Sequence, residues 1–134
     1  MNELIDSILE RLNILEGKFE KAETREHSHA GFGFGTAESL TINGGIITRT
    51  RTTNVFEVRT QGGAGTDNLD TILGGIKGDV IIIVAYDDAH DVVCKDGTGN
   101  LSLPADMTLD NSEDIEMLYY DGAMWCEITA SSNV

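Results

Sequence analysis

The most constraining stretch of this 134-residue chain is an uninterrupted apolar run near its middle. The run Val80–Ala85 reads Val-Ile-Ile-Ile-Val-Ala, and this β-branched composition and length are typical of a strand buried on both faces. A strand of that kind needs neighbouring strands to cover it. The sequence supplies candidates directly after it, namely Val92–Cys94, Asn100–Leu103 and two runs joined by Asp121-Gly122.

The last two runs predict a β-hairpin. A two-residue Asp-Gly loop between apolar-rich runs is a strong hairpin signal and fixes the register of the two strands. With Asp121-Gly122 as the loop, Tyr120 opposes Ala123 and Leu118 opposes Trp125.

This register divides the hairpin into two faces. One face is apolar apart from a single hydroxyl and carries Ile115, Met117, Tyr119, Met124, Cys126 and Ile128. The other face carries Leu118, Tyr120 and Trp125 together with Glu116 opposite Glu127, and like charges placed directly opposite are unfavourable. We therefore expect the first face to lie inside. Leu118, Tyr120 and Trp125 then form a contact between neighbouring chains or, alternatively, a ligand surface.

The charge balance narrows the classes of partner. Lys and Arg total 9 against 23 Asp and Glu, which gives a net charge of −14. Such a field repels phosphate backbones and anionic bilayers, so we expect neither nucleic acid nor membrane as a partner. No secretory signal is expected, and the longest apolar run is too short to span a bilayer. Cys94 and Cys126 lie in predicted strands, which favours reduced core residues over a disulfide.

Residues 1–25 predict a coiled coil. Positions a are Ile5, Leu12 and Phe19, positions d are Ile8, Leu15 and Ala22, positions g are Arg11 and Lys18, and positions e are Glu16 and Glu23. Basic g residues five before acidic e residues suit parallel chains, and isoleucine at both a and d of the first heptad favours three strands. The alternative is one amphipathic helix that packs on its own domain.

Residues 26–36 form a His-, Gly- and Phe-rich junction. In an extended segment His27 and His29 point the same way, so three chains around one axis would bring six imidazoles to a single transition metal. The alternative is two solvated histidines in a linker, with no cofactor.

Residues 37–130 read as short strands separated by turn residues, and 131–134 as a tail. Asn43-Gly44-Gly45 predicts a hairpin between the first two strands. Arg49, Arg51 and Arg59 resemble an anion site. Because Arg49 and Arg51 alternate with threonines along one strand face, we expect instead a solvated face that pairs with the protein's own carboxylates. His90 and Cys94 lie four residues apart along a strand, roughly 13 Å, so no Cys-His nucleophile is expected.

Several motifs together carry a resemblance to a known family. They are Asp67–Ile72, Gly74-Gly75, Gly78–Ile82, Val92-Val93, Lys95–Leu101, Leu109–Asn111 and Leu118–Trp125. Between about residues 27 and 128 the chain resembles a β-rich module of phage virion proteins described as tail-fibre, head-fibre, spike or decoration components. The resemblance implies a trimeric structural or attachment role without catalysis. The chain departs from the pattern in its acidic loop Tyr86–Asp91, so no ligand of the family is carried over.

The sequence thus predicts a mainly β protein. We expect a compact antiparallel β-sandwich or jelly-roll-like domain, preceded by an N-terminal α-helix that forms a parallel trimeric coiled coil. The expected function is that of a structural virion protein, a short fibre or capsid decoration anchored on capsid or tail by its N-terminal part. The alternatives are a tip that binds a host surface glycan and, more remotely, a polysaccharide-degrading enzyme.

Overall fold

A computed structural model of the chain describes residues 2–23 and 32–133, with the side chains of the first helix described through residue 14. The chain divides into two compact units, Met1–Gly33 and Phe34–Val134.

The first unit contains one α-helix, α1 (Asn2–Glu23). A helix at this position confirms the element that the heptads predict. Its apolar stripe is open to solvent, since Ile5, Ile8 and Leu12 each keep about half of their surface exposed. Whether three such helices associate stays a prediction.

The second unit is built from short strands. They are β1 (Glu38–Thr41), β2 (Ile46–Thr48), β3 (Val55–Arg59), β4 (Thr66–Leu69), β5 (Thr71–Leu73), β6 (Val80–Ala85), β7 (Asp91–Cys94), β8 (Leu101–Ser102), β9 (Met107–Leu109), β10 (Ile115–Tyr120) and β11 (Trp125–Ser131). A 3-10 turn, Gln61–Gly63, follows β3. The chain is therefore mainly β with one N-terminal helix, as expected.

The strands form three sheets, two of them mixed and one parallel. One has the order β1-β3-β6-β10-β11-β8, the second pairs β2 with β5, and the third has the order β4-β7-β9. Strands β1, β3 and β6 run parallel, as do β2 and β5, and β4 and β7. Successive passes of the chain thus stack strand on strand, which makes the unit solenoid-like. This differs from the antiparallel sandwich expected from the sequence.

Inward-facing side chains hold the stacked passes together. Phe56 is the register partner of Ile83, Ile47 of Ile72, and all four are at most 2% exposed. The interior consists of sixteen buried apolar residues: Ile42, Ile47, Phe56, Val58, Leu69, Ile72, Ile81, Ile83, Ala85, Val92, Cys94, Leu101, Leu103, Leu109, Leu118 and Trp125. Because every sheet contributes to this list, one core supports the whole unit.

Asn100 continues the β2-β5 stack without being in a strand. Its side-chain amide donates to the Ile72 carbonyl and accepts from the Ile72 amide, both at 2.8 Å. Its backbone amide donates to the Asp70 carbonyl, and its carbonyl accepts from the Trp125 amide. One asparagine therefore ties the stacked passes to the last hairpin.

The Asn-Gly turn does not make the predicted hairpin. Asn43 and Ile46 form only an isolated bridge, and the flanking strands β1 and β2 pair with β3 and β5 instead. The turn reverses the chain locally, but the neighbours of both strands come from later in the sequence.

The last hairpin exists, with a different register. Tyr120 opposes Trp125 and Leu118 opposes Glu127, so the connection is four residues long. The Asp121 carboxylate accepts hydrogen bonds from the amides of Ala123 and Met124, which stabilises the longer turn.

Strand β6 has the bounds predicted for it but only one buried face. Ile81, Ile83 and Ala85 are buried, whereas Val80, Ile82 and Val84 alternate with them on a half-buried face. The prediction of a strand covered on both faces is therefore wrong for the isolated chain.

Close packing at Gly99 gives a test of the stacked arrangement. A Cβ at residue 99 would overlap the Asp70 carbonyl oxygen and the Thr71 hydroxyl, whereas a Cβ at Gly65 would meet nothing within 4 Å. We expect Gly99→Ala to lower the free energy of unfolding by about 1–3 kcal/mol, as overpacking does. Gly65→Ala should change it by no more than about 1 kcal/mol. Urea unfolding of both variants measures the difference, and equal midpoints would contradict the close approach.

Candidate functional site

The hairpin residues proposed as a contact surface lie in the core. Leu118 and Trp125 are 0% exposed, and Tyr120 packs against Trp125 with ring centroids 4.8 Å apart. The Trp125 indole N–H donates to the Ile72 carbonyl at 3.0 Å. The structure therefore places Leu118 and Trp125 where neither a ligand nor a neighbouring chain reaches them, while Tyr120 is half-buried against the core.

The division of the hairpin into two faces is the predicted one, but the opposite face is buried. Met117, Tyr119 and Cys126 share one face, and a β-bulge shifts the register between Met117 and Leu118. The expected inner face is the outer one, and Ile115 and Ile128 are 39% and 52% exposed.

Outward-facing residues of β3, β6, β10 and β11 form an apolar face on the outside of the six-stranded sheet. Three pairs in register, Ile115 with Val84, Met117 with Ile82 and Tyr119 with Val80, place the side chains of β10 beside those of β6. Val55 adjoins Ile82 from β3, and Cys126 adjoins Tyr119 from β11. We call the eight residues the outer patch: Val55, Val80, Ile82, Val84, Ile115, Met117, Tyr119 and Cys126.

The outer patch is uncharged in a strongly acidic chain. Glu57, the register partner of Val84, is the charged residue beside it on β3. Alternation along β6 and β10 marks this face in the sequence, but the opposed Glu116 and Glu127 on the other face favoured the prediction that it lies inside.

The structure describes the side chains of only some of the predicted coiled-coil residues. Ile5, Ile8 and Leu12 are 52%, 50% and 49% exposed, and Arg11 is also exposed. The side chains of Leu15, Glu16, Lys18, Phe19, Ala22 and Glu23 lie outside the described residues, as do His27 and His29 of the predicted metal site. Among the residues that the structure does describe, no three His, Cys, Asp or Glu side chains cluster to hold a metal ion.

A pocket of about 270 Å³ lies where the three parallel strands of the main sheet end. Thr41 is the last residue of β1 and the register partner of Arg59, the last residue of β3. Tyr86 follows β6 directly, and its amide donates to the Val58 carbonyl, which extends the ladder to the pocket. Because parallel strands in register end at the same edge, these three side chains form one row.

Two loops wall the pocket. Gly62 and Gly63 in the 3-10 turn after β3 both have positive φ, 62° and 71°, a conformation that glycine adopts without strain. On the other side, Nδ1 of His90 lies 2.8 Å from Oδ1 of Asp87. This hydrogen bond, with another from the Ala89 amide, lowers the pKa of Asp87.

The Arg59 guanidinium stacks on the Tyr86 ring, 3.4 Å from its centroid. No carboxylate of the described residues lies within 4 Å of it, whereas Arg49 and Arg51 both pair with Asp79 at 3.0 and 2.5 Å. The expected pairing with the protein's own carboxylates is confirmed for those two arginines and not for Arg59.

The Arg49–Asp79–Arg51 cluster is structural. Arg49 is 5% exposed and also hydrogen-bonds Asn54, so it is buried and not on the solvated face expected. Hydrogen bonding from Arg51 is the main cause that lowers the pKa of Asp79. The cluster joins the segment after β2 to the start of β6.

The two cysteines are free thiols. Cys94 is buried in the core, and desolvation strongly raises its pKa, so it is not activated as a nucleophile. Cys126 lies half-buried on the outer patch.

Glu116 is a fully buried acid, although the sequence predicts that the hairpin face carrying it lies outside. It is 0% exposed, and neither carboxylate oxygen has a hydrogen-bond partner among the described residues. Burial, together with repulsion from Glu127, raises its pKa to about 8. The neutral form of the side chain is therefore favoured in the folded chain.

Comparison with known proteins found no family model and no curated protein that matches the chain. None of the described helices has the length and apolar character needed to cross a membrane.

The buried acid predicts a pH-dependent stability. Between pH 4.5, the ordinary pKa, and about 8, the folded chain keeps a proton that the unfolded chain has lost. Stability therefore falls across this window as pH rises, by at most about 1.4 kcal/mol per pH unit. In Glu116→Gln this contribution disappears, so the difference in unfolding free energy between wild type and variant should change between pH 5 and 8. The exposed Glu113→Gln is the control and should keep the wild-type slope.

Proposed function

We propose that this protein is a non-enzymatic structural protein that acts as a homotrimer, a short fibre or decoration protein of a phage virion. Its N-terminal helix is the anchor on capsid or tail. The virion assignment is supported by the motif resemblance between about residues 27 and 128, and the self-association by the surfaces of the two units.

The outer patch is the observation that carries the proposal. It spans neighbouring strands of the largest sheet. Each Å² of apolar surface that a partner removes from water stabilises the complex by about 25 cal/mol. The proposed partner is a second copy of the chain. Each copy carries a net charge of −14, so copies repel one another except where an uncharged surface makes the contact.

The exposed stripe on α1 supports the same arrangement. Ile5, Ile8 and Leu12 follow the a and d spacing, and Leu4 and Leu9 widen the stripe with 66% and 53% exposure. A stripe of this width suits more than two helices, which supports a trimer. Three heptads are marginal in water alone, so the outer patch supplies part of the association free energy.

A trimer accounts for attachment without a deep pocket. A weak contact made by three linked chains gains affinity through effective concentration, so no single chain needs a strong site. The buried, unactivated thiol of Cys94 supports a role without nucleophilic catalysis.

Substitution in the outer patch tests the association. In Met117→Glu a charge replaces a half-exposed apolar side chain, and three such charges would face one another in the trimer. We expect light scattering to give the mass of three chains for wild type and a lower mass for the variant. Thr108→Glu, on the exposed side of β9, adds the same charge elsewhere and should leave the mass unchanged. A monomeric wild type would overturn the trimer.

Removal of residues 1–26 separates the two association surfaces. The shortened chain keeps the outer patch and loses the helix, so it should dissociate at a concentration at least about tenfold higher than the full chain does. Sedimentation equilibrium over a range of concentrations measures this shift. Identical dissociation constants would remove α1 from the assembly.

A further inference from the structure

We infer that the pocket at the ends of β1, β3 and β6 binds a small monocarboxylate that also carries hydroxyl groups, namely an acidic sugar such as a uronic acid. Its lining residues all come from one chain, so the inference does not depend on self-association. It goes beyond the structural role, since that role needs no ligand.

The carboxylate is assigned to Arg59. Stacking on Tyr86 occupies the face of the guanidinium and leaves its N–H donors, which lie in the plane of the group. Within the described residues these donors have no carboxylate partner. The stack also restricts the arginine before binding, so less conformational freedom is lost when two parallel hydrogen bonds form with a carboxylate.

The charge of the pocket limits the ligand to one negative charge. Arg59 is the cation available to a ligand, and Asp87 lies on the opposite wall with His90 as its partner. A phosphate monoester carries nearly two negative charges at neutral pH, and in this acidic chain the second charge has no matching cation. A monocarboxylate pairs with Arg59 and brings no second negative charge toward the Asp87 carboxylate.

The remaining polar groups suit hydroxyls. Thr41 supplies a hydroxyl that donates and accepts, and Asp87 has lone pairs beyond those used by His90 and Ala89. The backbone of Gly62 and Gly63 lies on the same rim. Hydrogen-bond donors and acceptors around one cation match a sugar ring that carries several hydroxyls and one carboxylate.

The size of the pocket fits one sugar residue. Pockets for drug-sized ligands range over about 300–1,000 Å³. A volume of about 270 Å³ is slightly below that range, so it takes a single small unit and not an oligosaccharide.

The test is a titration of the full chain followed by amide chemical shifts, with D-glucuronate as the probe and D-glucose as its uncharged match. We expect saturable shifts at Gly62, Gly63 and His90 with glucuronate. Glucose should bind at least about tenfold more weakly, since it lacks the charge-assisted hydrogen bonds to Arg59. Glucose binding as well as glucuronate, or absence of binding by glucuronate, would overturn the inference.

Variants and a second anion sharpen the result. Arg59→Gln should weaken glucuronate about tenfold or more, and Arg59→Lys, which keeps the charge but not the planar fork, should fall between it and wild type. Lys77→Gln removes a charge outside the pocket and should bind like wild type. Equal affinities across the Arg59 variants, or tighter binding of inorganic phosphate than of glucuronate, would contradict the assignment.

Discussion

The parallel stacking of β1, β3 and β6 is the constraint on which the rest of the β unit depends. Each strand is short, and none could bury an apolar face by itself. In register, Phe56 lies beside Ile83, and Val58 beside Ala85, so the inward side chains form continuous rows. The same register fixes what lies on the outer face and what meets at the strand ends. Outer patch, core and pocket are therefore consequences of one alignment.

The strands themselves were predictable from local sequence. Val80–Ala85 is a strand with the bounds that its apolar run predicts, because β-branched residues favour extended backbone whichever neighbours they have. Pairing was not predictable in the same way. The Asn43-Gly44 turn has the sequence of a hairpin loop, yet β1 pairs with β3 because Leu40 and Phe56 must both reach the core. Local turn chemistry specifies a reversal of direction and leaves the partner strand open.

The last hairpin shows how one buried acid changes a functional interpretation. The observed four-residue connection places Glu127 opposite Leu118, where a two-residue loop places Trp125, yet both registers put Leu118, Tyr120 and Trp125 on the same face. That face was expected outside because it carries Glu116 and Glu127. Burial raises the pKa of Glu116, so its neutral form is favoured inside the protein. The core gains Trp125, and the surface gains the outer patch.

The pocket residues carry no joint signal in the sequence. Thr41, Arg59 and Tyr86 are far apart along the chain and become neighbours only through the parallel ladder. Arg59 was grouped with Arg49 and Arg51 because an acidic chain offers many carboxylates. Asp79 serves those two arginines, and the row of strand ends leaves the third without a carboxylate partner among the described residues.

The outward-facing side chains of β6 and its neighbouring strands change from apolar to polar along the strands. Val80, Ile82 and Val84 are apolar and lie within the outer patch, whereas Tyr86, one pair further along, carries the stacked Arg59. On β3 the order is the same, from Val55 through Glu57 to Arg59. Since alternate residues of a strand share a face, the apolar middle and the polar end belong to one continuous surface. If copies of the chain cover the middle, the pocket borders the contact without being part of it, so assembly and ligand binding use adjacent, separate residues.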